Sequence, residues 1–148
     1  MILCLSESGI LVCNVVSGRL AKRCRLEVLL DDGYWPSFST IKPRSTRAQW
    51  DHIGEGFIKE LDFSQVWLRL NDNDEGDKDD IIAEWRGDAK DFLARSLDGP
   101  VQFTLTSEDS DKGTSTVEIE TRYIPVPVNL EPRESINSGL FGFAQASF

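Results

Sequence analysis

Apolar and polar residues alternate in short stretches along most of this chain, the two-residue period of strands that bury one face. Residues 10–16 (ILVCNVV) are rich in β-branched side chains, and 24–30 (CRLEVLL) alternate up to the turn Asp31-Asp32-Gly33. The same reading predicts strands over 38–41, 53–61, 66–70, 81–85, 101–106 and 116–123. One helix interrupts them. Asp88 stands at its N-cap with Asp91 three residues on; Ala89, Phe92, Leu93 and Leu97 share a face, and Gly99-Pro100 ends it. Short strands at this spacing, joined by polar turns, predict an all-β fold: an eight-stranded antiparallel β-sandwich with one short helix between late strands.

After Tyr123 the texture changes. Ile124-Pro125-Val126-Pro127 and Glu131-Pro132-Arg133 read as extended linker, and 138–148 holds Phe141, Phe143 and Phe148 without strand or helix periodicity, so disorder or loose docking is expected there. No internal repeat is visible. The expected organisation is an overhang over 1–7, one domain over 8–126 and a linker or truncated tail over 127–148, in keeping with 148 residues, 40% of them apolar.

Charge changes the picture. The net formal charge is −9, yet residues 1–50 carry seven basic and four acidic side chains, and the excess acid falls in 51–148. Screening over about 8 Å in physiological salt makes such a local patch matter more than the total. The densest acidic run is 71–80 (NDNDEGDKDD), with six acids in ten positions between two predicted strands. Cys4, Cys13 and Cys24 form no CxxC pair, and His52 is the only histidine, too few ligands for a zinc site and consistent with reduced thiols. The opening MILCL lacks a basic flank and is too short for a signal peptide, and no stretch approaches the ~20 apolar residues of a membrane span. His52 has no serine or cysteine partner at a catalytic spacing, and no two carboxylates are selected as an acid–base pair, so no catalytic residue is assigned. Trp50, Trp67 and Trp85 fall on strands and are expected in the core; Tyr34 and Trp35 precede Pro36 in a turn expected to fold back as a plug.

The strand order and acidic loop resemble a C2 domain of circularly permuted (type II) topology. Gly9-Ile10-Leu11-Val12 is similar to its first strand. Ser45-Thr46-Arg47-Ala48-Gln49-Trp50, with Glu55 and Phe57, resembles the family's Thr-x-Asn-Pro-x-Trp-x-Glu-x-Phe stretch with Arg47 and Ala48 in place of Asn-Pro. Asp72-Asn73-Asp74 followed by Asp79-Asp80-Ile81-Ile82 resembles the third calcium loop. More narrowly, RLEVLLDDGYWP (25–36), Gly54-Glu55-Gly56-Phe57 and YIPVPV (123–128) resemble a middle C2 domain of tricalbins, the fungal relatives of extended synaptotagmins. The segment 130–137 (LEPRESIN) resembles that family's bridge to its next C2 domain, so the chain is expected to be a fragment, or a shortened form that breaks off after Asn137. The resemblance implies a non-catalytic module on the cytosolic face of membranes, at contacts between endoplasmic reticulum and plasma membrane.

Calcium takes six to eight oxygen ligands, and in the family one loop cannot supply them. The resemblance implies two aspartates from the first loop; here that loop reads SGRLAKR (17–23), is shorter, and has no acid. Arg23 aligns with one missing aspartate. Asp72, Asp74 and Asp80 remain, with Asp77 as a fourth. A guanidinium about 4 Å from a divalent ion costs about 8 kcal/mol at an effective dielectric of 20, comparable with the roughly 8 kcal/mol of a micromolar site. Arg23, with Lys22, is therefore expected to neutralise the carboxylates in place of the ion, and no cofactor is expected, calcium included. Lys42, Arg44, Arg47 and Arg25 are the expected contacts for anionic phospholipid, at about 1 kcal/mol each. Further partners implied are neighbouring C2 or lipid-transfer domains of a longer protein; no nucleic-acid partner is expected. Two other readings stay open from sequence: a protein-interaction or scaffolding C2 domain that never touches lipid, and a calcium-dependent phospholipid-binding domain.

Overall fold

The structure, a computed structural model, describes residues 7–31, 33, 36–72, 81–108 and 113–126. Its elements are β1 (Ser8–Arg19), β2 (Arg25–Leu30), β3 (Pro36–Ser39), β4 (Arg47–Ile58), β5 (Gln65–Asn71), β6 (Ile81–Asp88), α1 (Ala89–Ser96), β7 (Val101–Leu105) and β8 (Ser115–Val126). They form two four-stranded antiparallel sheets, β4-β1-β8-β7 and β3-β2-β5-β6. The first and last strands lie side by side in the first sheet, paired from Ser8 opposite Val126 to Arg19 opposite Thr116. This adjacency is the order expected of the permuted sandwich.

Alternation explains the layering. Leu11, Cys13 and Val15 of β1 point inward with Val117 and Ile119 of β8, and meet Leu26, Val28, Leu68 and Leu70 of the other sheet, all fully buried. One end of the core is an aromatic cluster. Phe92 of α1 lies 5.1 Å from Phe103 of β7, and Trp85 of β6 meets the same ring edge-on at 4.9 Å. The helix therefore packs onto the core through Phe92, against β6 and β7.

Several elements depart from the sequence reading. Strand β4 begins at Arg47, ahead of the predicted start at Ile53. Its polar Gln49 and Asp51 face water, while the Trp50 indole packs on the core and its Nε1 donates to the Ile41 carbonyl at 2.9 Å. The β1–β4 register shifts between Val15 and Ser17, and Asp51 opposite the irregularity has φ 46°. Such a bulge breaks the two-residue alternation that would have marked this strand. The third strand ends at Ser39, because Thr40 turns its hydroxyl to accept from Leu26 N at 2.9 Å. In α1, Leu97 is half exposed and serves as C-cap rather than core. Ser96 takes the buried place, its hydroxyl donating to the Phe92 carbonyl at 2.6 Å and lying 2.7 Å from Thr121 Oγ1. Asp88 makes no side-chain cap; it accepts instead from Gln65 Nε2.

Of the tryptophans, Trp67 is buried but on the outer face of the second sheet, not between the sheets. It is covered by Gly33 and flanked by Arg86 at 5.0 Å and Arg69 at 5.9 Å. A side chain at Gly33 (φ 69°) would collide with the indole, so glycine is required twice over at this turn. The expected plug residues Tyr34 and Trp35 lie outside the described residues, as do 1–6 and the tail over 127–148.

Strand directions decide what meets what. β1 rises to Arg19 and β2 starts downward at Arg25; β5 rises to Asn71 and β6 descends from Ile81. β7 likewise ends at Leu105 opposite Ser115, next to Arg19, so the chain leaves β1, β3, β5 and β7 at one end of the sandwich, the apex.

Candidate functional site

The apex carries Lys22, Arg23, Lys42, Arg44 and Asp72; Asp74, Asp77 and Asp80 lie outside the described residues. Asp72 follows the last residue of β5 and is closed by two lysines. Lys22 Nζ lies 2.7 Å from its Oδ2 and Lys42 Nζ 3.2 Å from its Oδ1, and Lys42 also donates to the Asp72 carbonyl at 3.2 Å. Lys22 comes from the first apical loop and Lys42 from the second, so one carboxylate ties three loops together. The hydrogen bond from Lys22, aided by Lys42, outweighs partial burial and holds the Asp72 carboxyl below its ordinary range.

Arg23, the expected neutraliser, is directed elsewhere: its Nε donates to the Pro43 carbonyl at 2.9 Å. The second cation on Asp72 is Lys42, which the sequence reading places among the lipid contacts. The reason lies in the strand register. β2 begins at Arg25 in pairing with Asn71, which sets Lys22 beside Asp72 and turns Arg23 toward the neighbouring loop. The two ammonium groups occupy directions from which a cation would approach this carboxylate.

Beneath the clamp, Cys24 is buried and its thiol donates to the Lys22 carbonyl at 2.8 Å. Burial, with the nearby Asp72 charge, pushes its pKa up to about 11. Burial alone pushes Cys13 up to about 12. Both thiols are structural in character, since the thiolate is the reactive form. His52 stacks on Phe38 at 5.8 Å, a packing role.

The four residues expected to touch lipid separate into two pairs. Arg25 is largely buried and faces Glu27 at 3.4 Å; Lys42 holds Asp72. Arg44 and Arg47 are exposed. The structure adds a residue the sequence reading does not single out. Arg19, at the top of β1, is paired in register with Arg47 at the top of β4. No sequence signal exposes such a pair, because the two positions are distant along the chain and meet only once the strands align.

Two antiparallel sheets with β1 and β8 adjacent, the connections after β1, β3, β5 and β7 at one end and a helix before β7 define a C2 domain. The chain belongs to the tricalbin-1-like C2 domain family, whose model matches residues 3–129. The likeness to solved structures shows the same fold. The first C2 domain of a plant extended synaptotagmin 1 matches at TM-score 0.60 and 16% identity, over 82% of this chain and 98% of that one. A longer piece of extended-synaptotagmin 2, its SMP domain with two C2 domains, matches at TM-score 0.56 and 14% identity over 82% of this chain and 25% of that one. Among curated proteins, the chain is 28% identical over 138 residues to "Uncharacterized protein C962.01" of Schizosaccharomyces pombe, covering 92% of this chain. It spans 9% of that relative's length. A C2 domain is typically a non-catalytic module.

Proposed function

We propose that this C2 domain serves as a non-catalytic, largely calcium-independent module of a tricalbin-like tether between endoplasmic reticulum and plasma membrane. It would work on the cytosolic face, by weak contact with anionic phospholipid and by packing against neighbouring C2 or lipid-transfer domains of a longer polypeptide. The observation that carries the reading is the clamp of Lys22 and Lys42 on Asp72, at 2.7 and 3.2 Å. Protein cations already neutralise an acid that a divalent ion would need, and an entering ion would meet two positive charges at close range. Membership of the family supports the membrane setting.

The test is thermal unfolding and vesicle co-sedimentation in calcium and in EDTA. The expected result is an unchanged melting temperature and equal pelleting with phosphatidylserine-containing vesicles. A melting temperature several degrees higher in micromolar calcium would overturn the calcium-independent reading.

A scaffolding role has one observation in its favour. The outer face of the first sheet exposes Ile53, Phe57 and Ile124, with Leu97 beside Ile53. Such an apolar face suits protein contact. Pelleting of the domain with vesicles at low salt would decide for lipid; its absence would favour the scaffold.

A further inference from the structure

Arg19 and Arg47 are directly opposed across β1 and β4, at outward positions next to the inward Gly18 and Ala48. Like charges directly opposite each other destabilise a sheet, so the arrangement works against the fold. Among the described residues neither side chain has an ion pair, and both are exposed. On the same face Glu118 shares a shallow pocket with Arg19 and accepts from the Ser17 hydroxyl at 3.4 Å, while Glu120 accepts from Asn14 at 3.2 Å and Asp51 from Gln49 at 2.9 Å.

The two loops next to this pair are tied to each other. Leu20 N donates to the Thr46 carbonyl at 2.8 Å, and Arg23 Nε to the Pro43 carbonyl at 2.9 Å. These bonds stitch the first apical loop to the second, so Arg23 and Arg44 sit on the loops that flank the opposed pair. The lysines of the apex, by contrast, are engaged with Asp72.

We propose that this arginine corner, with the opposed Arg19 and Arg47 at its centre, is the surface that grips the phosphate groups of an anionic phospholipid membrane. The inference deepens the lipid reading given above and rests on it. A guanidinium presents a planar fork that matches phosphate oxygens two at a time and is less strongly hydrated than an ammonium. An anion between two opposed arginines also removes their repulsion, so lipid binding would relieve a cost built into the free domain. The corner stands on the first sheet, whereas Arg25 and Lys42, expected from sequence to touch lipid, are tied into the second sheet and the acidic loop.

The experiment measures partition of the full chain onto vesicles of phosphatidylcholine and phosphatidylserine mixed two to one, in EDTA at low salt. Three proteins are compared: the unaltered chain, Arg19→Gln/Arg47→Gln, and Lys59→Gln/Lys90→Gln, which loses the same charge at the opposite end. Each arginine near such a surface is worth about fivefold in partition, so the arginine variant should bind about 25-fold more weakly and the lysine variant within about twofold of the unaltered chain. Arg19→Gln alone should melt no lower than the unaltered chain, since it removes a repulsion. Equal losses in both double variants would overturn the corner in favour of general charge. Undiminished binding by the arginine variant would overturn the corner while leaving the lipid reading intact. A fall in melting temperature for Arg19→Gln would mark a structural role and likewise overturn it. If the unaltered chain does not pellet at all, the lipid reading falls first and the corner with it.

Discussion

At the scale of single residues, the chemistry of the apex turns on which cation reaches Asp72. The resemblance to the family pointed to the first loop as the source of positive charge, and Lys22 from that loop does contact the carboxylate. It did not show that Lys42 would cross from the second loop while Arg23 turned to a backbone carbonyl. Such a choice depends on side-chain reach between loops and leaves no periodic trace. The clamp has a pH signature. The Asp72 carboxyl titrates below its ordinary value in the folded protein, so its contribution is fully present above about pH 4, the usual range for a free carboxylate, and disappears as pH falls through the lowered value. Lys22 is mostly solvent-exposed, which keeps the contribution small. Asp72→Asn should therefore cost less than about 1 kcal/mol at pH 7, and the two proteins should converge in stability as the medium is acidified. Urea unfolding at a series of pH values checks this; a difference that stays constant down to pH 2 would mean the aspartate acts through packing, not charge.

Among the elements, alternation made the strands of the second sheet legible, because Leu26, Val28 and Leu30 of β2 and Val66, Leu68 and Leu70 of β5 line the core, although Leu29 and Trp67 are also buried on the other face. It failed at the start of β4, where the bulge and Asp51 interrupt the period, and at the end of α1, where a hydroxyl rather than Leu97 faces the core. The Arg19–Arg47 pairing was equally illegible, since register is a property of two strands together. β4 also shows how the apex is held. Gly54 lies directly under the Phe38 ring of β3, and a Cβ there would overlap it. β3 in turn leads into the loop that carries Lys42 and Arg44. Gly54→Val should force Phe38 outward and lower stability by about 1–3 kcal/mol, the usual range for overpacking. Equilibrium unfolding in urea measures the loss. An unchanged midpoint would mean that β3 can shift freely, and that the second loop is not positioned through this contact.

For the whole molecule, the arithmetic of charge favours the weak, tethered mode over a free-standing binder. A protein of net charge −9 is repelled by an anionic membrane at long range, but within about 8 Å the membrane meets only the corner it faces. Four arginines at about 1 kcal/mol each give a dissociation constant on the order of a millimolar. Such an affinity matters only when linkage raises the local concentration of the domain. The described residues contain no helix long and apolar enough to cross a membrane, and the chain spans 9% of the length of the curated relative it matches. Two outcomes follow from the same cause. Partition of the single domain onto the same phosphatidylserine-containing vesicles should fall steeply between low and physiological salt, because the attraction is purely ionic. Two copies joined by a flexible Gly/Ser linker should recover binding at the higher salt by about tenfold or more, with no new contact made. Binding that ignores salt would instead point to insertion of apolar side chains, and the exposed Ile41 of the second apical loop would then be the residue to change.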